Sequence, residues 1–154
     1  MKQLLFTILL LAASSALRAD DVAIVVAKDC PLEELSLADL RAIFRCEKVI
    51  SPARSKWIVL LRPAASPEQG TVLKSLFKST ADDLAVYFRL GEFNGSIDPA
   101  PKTIPSAALE RHIISGNKSA IGYMLVSEVT DDVKVLRIGG ALPGTTNYPL
   151  KPRD

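Results

Sequence analysis

Three short, unbroken apolar runs place the strongest constraint on how this chain can fold. They are Val22–Ala27 (VAIVVA), residues 57–61 (WIVLL) and residues 120–126 (AIGYMLV). Continuous apolar runs of this length are expected for strands that are buried on both faces of a sheet, whereas a half-exposed strand alternates apolar and polar residues. A sheet buried in this way needs helices on both of its faces.

The segments between the runs show helical spacing. Ser36 with Asp39, and Thr80 with Asp83, are typical of helix starts in which a side chain caps the first turn. Apolar residues follow each of them three and four positions apart. Gly91 is the predicted end of the second of these helices.

Three expectations about the chain after Gly91 complete the helix and strand assignment. Phe93 is expected to fold back into the core after the helix stop at Gly91, and a further helix is predicted from Ser106 to about Ser115, with Gly116 as its stop. Residues 133–138 (VKVLRI) alternate in the manner of an edge strand with one wet face.

The order strand, helix, strand, helix favours parallel pairing of the first two strands through crossover helices. We therefore predict one α/β domain over residues 20–154. Its sheet is mixed but mainly parallel, with about four strands and helices on both faces.

The turn after residues 57–61 is the first candidate for a binding site. Arg62 and the proline after it end the strand. Ser66 is then predicted to cap a helix, with Pro67 at the first helical position and Gln69 completing a capping box. Because the first amides of a helix have no backbone partner, such a turn can hold an anion.

The first nineteen residues have the pattern of an export signal. Lys2 provides a positive start, an apolar stretch follows, and small residues precede a predicted cut after Ala19. The apolar stretch is shorter than the roughly 20 residues that a bilayer requires, and no cysteine stands at the cleavage region for a lipid. We expect a periplasmic or secreted protein without a membrane anchor.

The charge of the predicted mature chain is balanced. The excess of two positive charges in the full sequence equals the contribution of Lys2 and Arg18, which lie in the export signal. A near-neutral chain gives no support for binding to nucleic acid or to an anionic membrane.

Two cysteines, Cys30 and Cys46, flank the first predicted helix. In an oxidising compartment they could form a disulfide, for which the chain-entropy estimate is about 3 kcal/mol. The alternative is two separate thiols, one of them buried. We expect the disulfide.

No group of residues has the spacing of a catalytic or metal site. His112 is the only histidine, and no cysteine or acid stands near it at metal-ligand spacing. Neither cysteine has a base assigned to it by the spacing. We therefore expect no enzyme, no metal and no cofactor.

With these segments laid out, the chain resembles the phosphate ABC transporter substrate-binding family. Residues 21–44 are similar to that family's strand, turn and L-x-L-x-x-L-x-x-I-F helix, and residues 119–123 (SAIGY) resemble its A-I-G-Y strand. Residues 133–138 match the strand after it, and residues 148–152 (YPLKP) are similar to its Y-P-L-x-R-P exit. The resemblance implies one lobe of a type II periplasmic binding protein.

The resemblance also implies how this chain departs from the family. Full-sized members hold the anion between two lobes, and the second lobe supplies a G-S-G-T-R turn that falls here on residues 65–69. Only Ser66 matches, Gln69 stands where the anion-pairing arginine would be, and Glu68 replaces the threonine. The resemblance therefore implies weak binding of an anion.

In open α/β sheets, ligands bind at the carboxyl ends of the parallel strands. The residues expected there are Lys28, Arg62, Ser66, Gln69 and Gly70. The leading hypothesis is an exported solute-binding-like protein that binds phosphate or another small anion weakly and serves an ABC importer. The alternative is a non-catalytic envelope accessory module, built on a single lobe, that docks on another protein.

Overall fold

The computed structural model of the protein describes residues 20–152. The predicted export signal, residues 1–19, lies outside the described residues. Within the described range, no helix is both long enough and apolar enough to cross a membrane.

The described chain forms seven strands and four α-helices, together with a π-helix and a short 3-10 helix. In chain order they are β1 (Val22–Ala27), β2 (Glu34–Leu35), α1 (Leu37–Phe44), β3 (Ile58–Leu61), α2 (Gln69–Thr71), the π-helix (Val72–Phe77), α3 (Ala81–Phe93), β4 (Lys102–Thr103), α4 (Ala107–Ser115), β5 (Ala120–Leu125), the 3-10 helix (Val126–Glu128), β6 (Val133–Val135) and β7 (Arg137–Ile138).

Five strands form the central sheet in the order β4-β3-β5-β1-β6. Strand β3 pairs in parallel with both β4 and β5, and β1 pairs antiparallel with both β5 and β6. Four of the five strands therefore run in one direction and β1 runs against them. The sheet is mixed and mainly parallel, as predicted.

The predicted parallel pairing of β1 with β3 is wrong. Strand β5 lies between them, with Val26 opposite Ile121 on one side and Val59 opposite the same residue on the other. The spacing of the first two strands requires only a connection that contains a helix. It does not determine that β5, which is apolar along its whole length, takes the central position.

Helices cover both faces of the sheet, as the unbroken apolar runs require. On one face, the side chains of Val22, Ile24 and Val26 pack in a cluster with α1, the π-helix and α3. On the other face, Ala23 and Val25 pack with α4. Every residue of β1 is fully buried because its alternate side chains enter two different cores.

Three of the predicted helix starts are confirmed by their caps. The side chain of Ser36 accepts a hydrogen bond from the Asp39 amide over 3.0 Å. Thr80 accepts from the Asp83 amide over 3.1 Å, and Ser106 accepts from the Leu109 amide over 3.2 Å. These contacts are local, so the order of residues along the chain is sufficient to predict them.

The predicted end of α3 is wrong. The helix continues through Gly91 to Phe93. An added Cβ at Gly91 would lie 2.3 Å from Ile97 Cδ1, so glycine is used here to let the following loop pack against the helix. Phe93 does not fold back and is 91% exposed.

The predicted strand over residues 133–138 is divided in two. Strand β6 forms an edge of the central sheet, and β7 leaves it to pair in parallel with β2. After β7 the chain returns along β1, where the Val22 amide donates to the Leu150 carbonyl over 3.0 Å and the Tyr148 hydroxyl donates to the Val22 carbonyl over 2.5 Å.

The predicted disulfide is also wrong. Cys30 and Cys46 are both free thiols and both are buried. Cys30 follows β1 and Cys46 follows α1, where it adopts a positive φ of 61°. Flanking one helix in sequence does not bring the two side chains together. Burial also raises the pKa of Cys46 to about 11, which keeps this thiol protonated.

Candidate functional site

A buried polar cluster lies at the carboxyl end of β3, where the sequence places its first candidate site. Its members are Arg62, Glu68, Gln69, Glu110 and Tyr123, which we name the Arg62 cluster. Arg62 Nε donates to Glu68 Oε1 over 2.7 Å, and Arg62 Nη1 donates to the Ile104 carbonyl over 3.0 Å. The guanidinium is therefore already engaged by groups of the protein itself.

Tyr123 joins the two segments of the cluster. Its hydroxyl accepts from the Arg62 amide over 3.0 Å and donates to Gln69 Oε1 over 2.6 Å. Because the backbone amide can only donate, the hydroxyl proton must go to Gln69. Burial raises the pKa of Tyr123, which keeps that proton on the hydroxyl.

Glu110 reaches the cluster from α4 on the other face of the sheet. It is fully buried, and its Oε1 accepts from the Tyr123 amide over 3.0 Å. Its Oε2 lies 3.9 Å from Arg62 Nε. Burial raises the pKa of Glu110 to about 8, so the carboxyl is mainly protonated at neutral pH.

Two carboxyl oxygens in the cluster have no hydrogen-bond partner among the described residues. They are Glu68 Oε2 and Glu110 Oε2, and both are shielded from solvent. A buried oxygen without a partner is costly when it is charged, which favours protonation of Glu110, the acid whose pKa is raised. With one acid protonated, Arg62 and the remaining carboxylate balance each other's charge.

The predicted capping box at residues 66–69 is wrong. Helix α2 begins at Gln69, and the Ser66 side chain donates to the Pro63 carbonyl rather than accepting from the Gln69 amide. Residues 66–69 instead form a turn in which the Gln69 amide donates to the Ser66 carbonyl. The side chain of Gln69 is directed to Tyr123, so it is not free for capping.

Lys28 does not lie with the other predicted ligand residues. It follows β1, whose last residue, Ala27, pairs with Val133 at the start of β6. Because β1 runs antiparallel to its neighbours, its carboxyl end lies at the end of the sheet where the other strands begin. Lys28 is predicted to lie beside Arg62. The antiparallel course of β1 instead places Lys28 at the opposite end of the strands from Arg62.

Gly70 lines a cavity of about 210 Å³ that also contains two lysines, Lys74 and Lys151. Thr71 and Ser75 also line it. Neither lysine forms an ion pair with any residue in the range 20–152, in contrast to Arg62. We name this the lysine cavity.

Sequence reasoning missed both lysines of this cavity. Lys74 lies four residues after Gly70, which is about one helical turn. This spacing could have predicted that the two residues share one face of the helix. Lys151 comes from the end of the chain, and nothing in its local sequence connects it with Gly70. Only the return of residues 148–152 along β1 brings it there.

The described residues contain no group of three or more histidine, cysteine, aspartate or glutamate side chains that could hold a metal. His112 is on the exposed side of α4. The acids that are buried, Glu68 and Glu110, face a guanidinium instead of an open coordination site.

Comparison with known proteins identifies the fold. The chain matches no protein-family model, and it has no match among curated proteins. It is similar to the solved structure of an ABC-type phosphate transport receptor from Vibrio cholerae, with a TM-score of 0.69, 19% identity and coverage of 86% of this chain and 54% of the receptor.

Two further structures give the same result. One is PstS from Borrelia burgdorferi, with a TM-score of 0.67, 12% identity and coverage of 87% of this chain and 55% of PstS. The other is a proposed phosphate ABC transporter substrate-binding protein from Clostridium perfringens, solved with bound phosphate, with a TM-score of 0.65, 17% identity and coverage of 81% and 47%.

These similarities confirm the expected fold, which is that of one lobe of a phosphate transporter substrate-binding protein. The chain spans about half the length of the proteins it matches. Two of these structures are named as a phosphate transport receptor and as a phosphate transporter substrate-binding protein.

Proposed function

We propose that this chain is an exported, non-catalytic solute-binding-like protein that binds phosphate or a similar small anion weakly at the lysine cavity. The fold supports a solute-binding role, since two of the similar solved structures are named as a phosphate transport receptor and as a phosphate transporter substrate-binding protein. The observation that carries the choice of cavity is that Lys74 and Lys151 line it without any ion pair among residues 20–152, whereas Arg62 is bonded to Glu68.

The magnitude of the available interactions makes this binding weak. A dissociation constant of 1 μM requires about 8 kcal/mol, and 1 mM requires about 4 kcal/mol. Ion pairs at exposed sites contribute about 0.2–1 kcal/mol each. Two lysines at an open cavity therefore contribute at most about 2 kcal/mol, so we expect binding no tighter than the millimolar range.

Isothermal titration of the chain with phosphate and with sulfate at low ionic strength tests the proposal. We expect a millimolar dissociation constant that weakens as sodium chloride is added, because exposed charges are screened. Lys74→Ala and Lys151→Ala should each weaken binding several-fold. Lys28→Ala is the matched control, since it removes an exposed lysine at the opposite edge of the sheet and should leave binding unchanged.

Two outcomes would contradict this proposal. One is the absence of heat with phosphate at tens of millimolar. The other is binding that survives loss of both lysines of the cavity. Micromolar binding that is lost on substitution of Arg62 would instead return the site to the Arg62 cluster.

Export to the periplasm or the cell exterior is part of the proposal and depends on the pattern in residues 1–19. The N-terminal sequence of the protein recovered from its native compartment tests it. A first residue at Asp20 is expected, and recovery of the uncut chain from the cytoplasm would contradict it.

A docking role on an envelope protein is the second candidate, and one observation favours it. Val86, Leu90 and Phe93 form a row on the outer side of α3, with 49%, 58% and 91% of their surfaces exposed. Their spacing of four and three residues places them on one helix face, opposite the buried Leu84. Apolar rows of this kind often mark protein contacts.

Capture of partners from a periplasmic extract tests the docking role. A partner that is retained by the unmodified chain and lost with Phe93→Ser would support it. Ile50→Ser is the control, because Ile50 is an exposed apolar residue outside α3 whose exposure of 57% is close to the 58% of Leu90. A chain that retains nothing specific, or loses the partner equally with both variants, would contradict it.

A further inference from the structure

A second cavity lies beside α3 at the ends of β3 and β4. Its volume is about 240 Å³. Apolar side chains make up most of its wall, among them Leu61, Leu84, Ala85 and Phe88. We name it the α3 cavity; none of these residues belongs to the lysine cavity.

The polar part of this wall includes two side chains that are more than nine-tenths buried, Arg62 and Gln69. Each has a nitrogen donor that makes no hydrogen bond with residues 20–152. The Arg62 side chain donates through Nε and Nη1, which leaves Nη2, and Gln69 uses its Oε1, which leaves Nε2. Neither nitrogen is among the described side-chain atoms that are both enclosed and without a hydrogen-bond partner.

The charges around the cavity favour an uncharged ligand over an anion. Arg62 is paired with Glu68 over 2.7 Å, so its charge is balanced inside the protein. Glu92, which also lines the cavity, would repel an incoming carboxylate. A carbonyl oxygen can accept from both free donors without bringing a charge into an apolar site.

We infer that the α3 cavity binds a small uncharged organic molecule with an apolar body and a carbonyl oxygen, such as a primary amide. The carbonyl oxygen accepts from Arg62 Nη2 and Gln69 Nε2. The apolar body contacts Leu84 and Phe88. This site is separate from the lysine cavity in position and in ligand chemistry, and it does not depend on anion binding there.

The size of the cavity limits the ligand to a small one. Ligand pockets for drug-sized molecules are typically about 300–1,000 Å³, so about 240 Å³ suits a molecule of roughly ten non-hydrogen atoms. Benzamide has the required ring, carbonyl and size. At the ligand efficiencies usual for such molecules, a dissociation constant on the order of 1 mM is expected.

Protein-detected NMR of the intact protein with benzamide and with benzoate tests this inference. We expect saturable shifts with benzamide that are centred on α3 and β3, and at least about fivefold weaker binding of benzoate. Benzoate has the same ring and differs in charge, so the pair isolates the preference for an uncharged acceptor.

Ala85→Trp is the blocking variant, because Ala85 is exposed and a large side chain there fills the cavity mouth without entering the core. We expect at least a tenfold loss of benzamide binding. Ala108→Trp is the matched control, since Ala108 is an exposed alanine on α4 that does not line the cavity. Binding by this variant should be unchanged.

Gln69→Met tests the donor directly. Methionine removes the Nε2 donor without adding a third buried carboxyl beside Glu68 and Glu110, so benzamide binding should fall at least fivefold. The Tyr123 hydroxyl loses its acceptor, so the thermal midpoint should fall modestly, and a folded NMR spectrum shows that the loss of binding is not unfolding. Absence of saturable benzamide shifts, equal binding of benzoate, or full binding by Ala85→Trp would each overturn the inference.

Discussion

Arg62 and Glu68 form an ion pair of 2.7 Å with side-chain exposures of only 7% and 1%. The two residues are six positions apart, and the turn at residues 63–66 folds the second back onto the first. Glu68 therefore gives Arg62 a permanent internal anion. The buried Arg62–Glu68 pair therefore carries no net charge that could attract phosphate.

Removal of this internal anion should be strongly destabilising. In Glu68→Gln the buried Arg62 charge loses its partner at 2.7 Å and keeps only Glu110, which lies 3.9 Å away and is mainly protonated at neutral pH, so a loss of about 3–5 kcal/mol is expected. Urea unfolding at pH 7 measures the change. Phosphate should stabilise this variant more than it stabilises the unmodified chain, because the freed guanidinium can pair with it.

The control for this prediction is Asp29→Asn, which breaks the Lys118–Asp29 pair of 3.0 Å at the surface. Its effect should be within about 1 kcal/mol, since both side chains are more than half exposed. Equal effects of the two substitutions would show that the buried Arg62–Glu68 pair stabilises the fold no more than a surface ion pair does.

Stability should fall as the pH rises from about 5 to 8 because of Glu110. Burial raises its pKa to about 8 in the folded chain, whereas an unfolded glutamate titrates near 4.3. In that pH range the folded state retains a proton that the unfolded state loses, so the free energy of unfolding decreases with pH.

Glu110→Gln checks the assignment of this pH dependence. The amide is uncharged at every pH and its oxygen can still accept from the Tyr123 amide. Urea unfolding of the variant between pH 5 and 8 should show a much flatter profile. A decline that is as steep as in the unmodified chain would mean that another group causes it.

Gly122→Ala should destabilise the fold, whereas Gly70→Ala should not. An added Cβ at Gly122 would lie 2.1 Å from Glu110 Oε1 and 3.2 Å from Ile114 Cδ1, both of them fully buried side chains. Overpacking of this kind costs about 1–3 kcal/mol, and displacement of Glu110 adds the loss of its bond to Tyr123.

Gly70 is the matched glycine, because nothing lies within 4 Å of an added Cβ and the residue is helical. Its change to alanine should be neutral or stabilising by up to about 1 kcal/mol. Thermal melts of both variants measure the contrast. Similar midpoints for the two would contradict the packing of Glu110 against Gly122.

The two cysteines should react slowly as native thiols and rapidly once the chain is unfolded. Both are buried, and the raised pKa of Cys46, about 11, leaves little thiolate at neutral pH. Titration of the non-reduced chain with an aromatic disulfide reagent, with and without denaturant, measures this. We expect two reactive thiols in denaturant. If no thiol reacts in denaturant, the two cysteines form a disulfide after all.

Several features of the fold were predictable because they depend on neighbours in the sequence. The caps at Ser36, Thr80 and Ser106 involve residues three positions apart. The unbroken run Val22–Ala27 identifies a strand with both faces buried, and both faces are covered by helices. Arg62 and Gln69 were correctly placed at the carboxyl end of β3.

The features that could not be predicted depend on contacts between distant segments. The sequence favours a helix stop at Gly91, whereas the helix continues and Ile97 packs against this glycine. The sequence also favours Lys28 beside Arg62, whereas β1 runs antiparallel and places it elsewhere. Lys151 reaches Gly70 only because residues 148–152 return along β1. No local pattern contains this information.

The sequence by itself determined the strands, most of the helix starts and the class of the fold, because burial and capping follow from residue types at short spacing. Only the tertiary structure decided which charges remain available to a ligand. Glu68 balances the charge of Arg62, and the mainly protonated Glu110 reaches the same pair from the other face of the sheet. The distance between side chains on different elements is a property of the packed chain, and it decides whether a cation faces a ligand or the protein's own carboxyl groups.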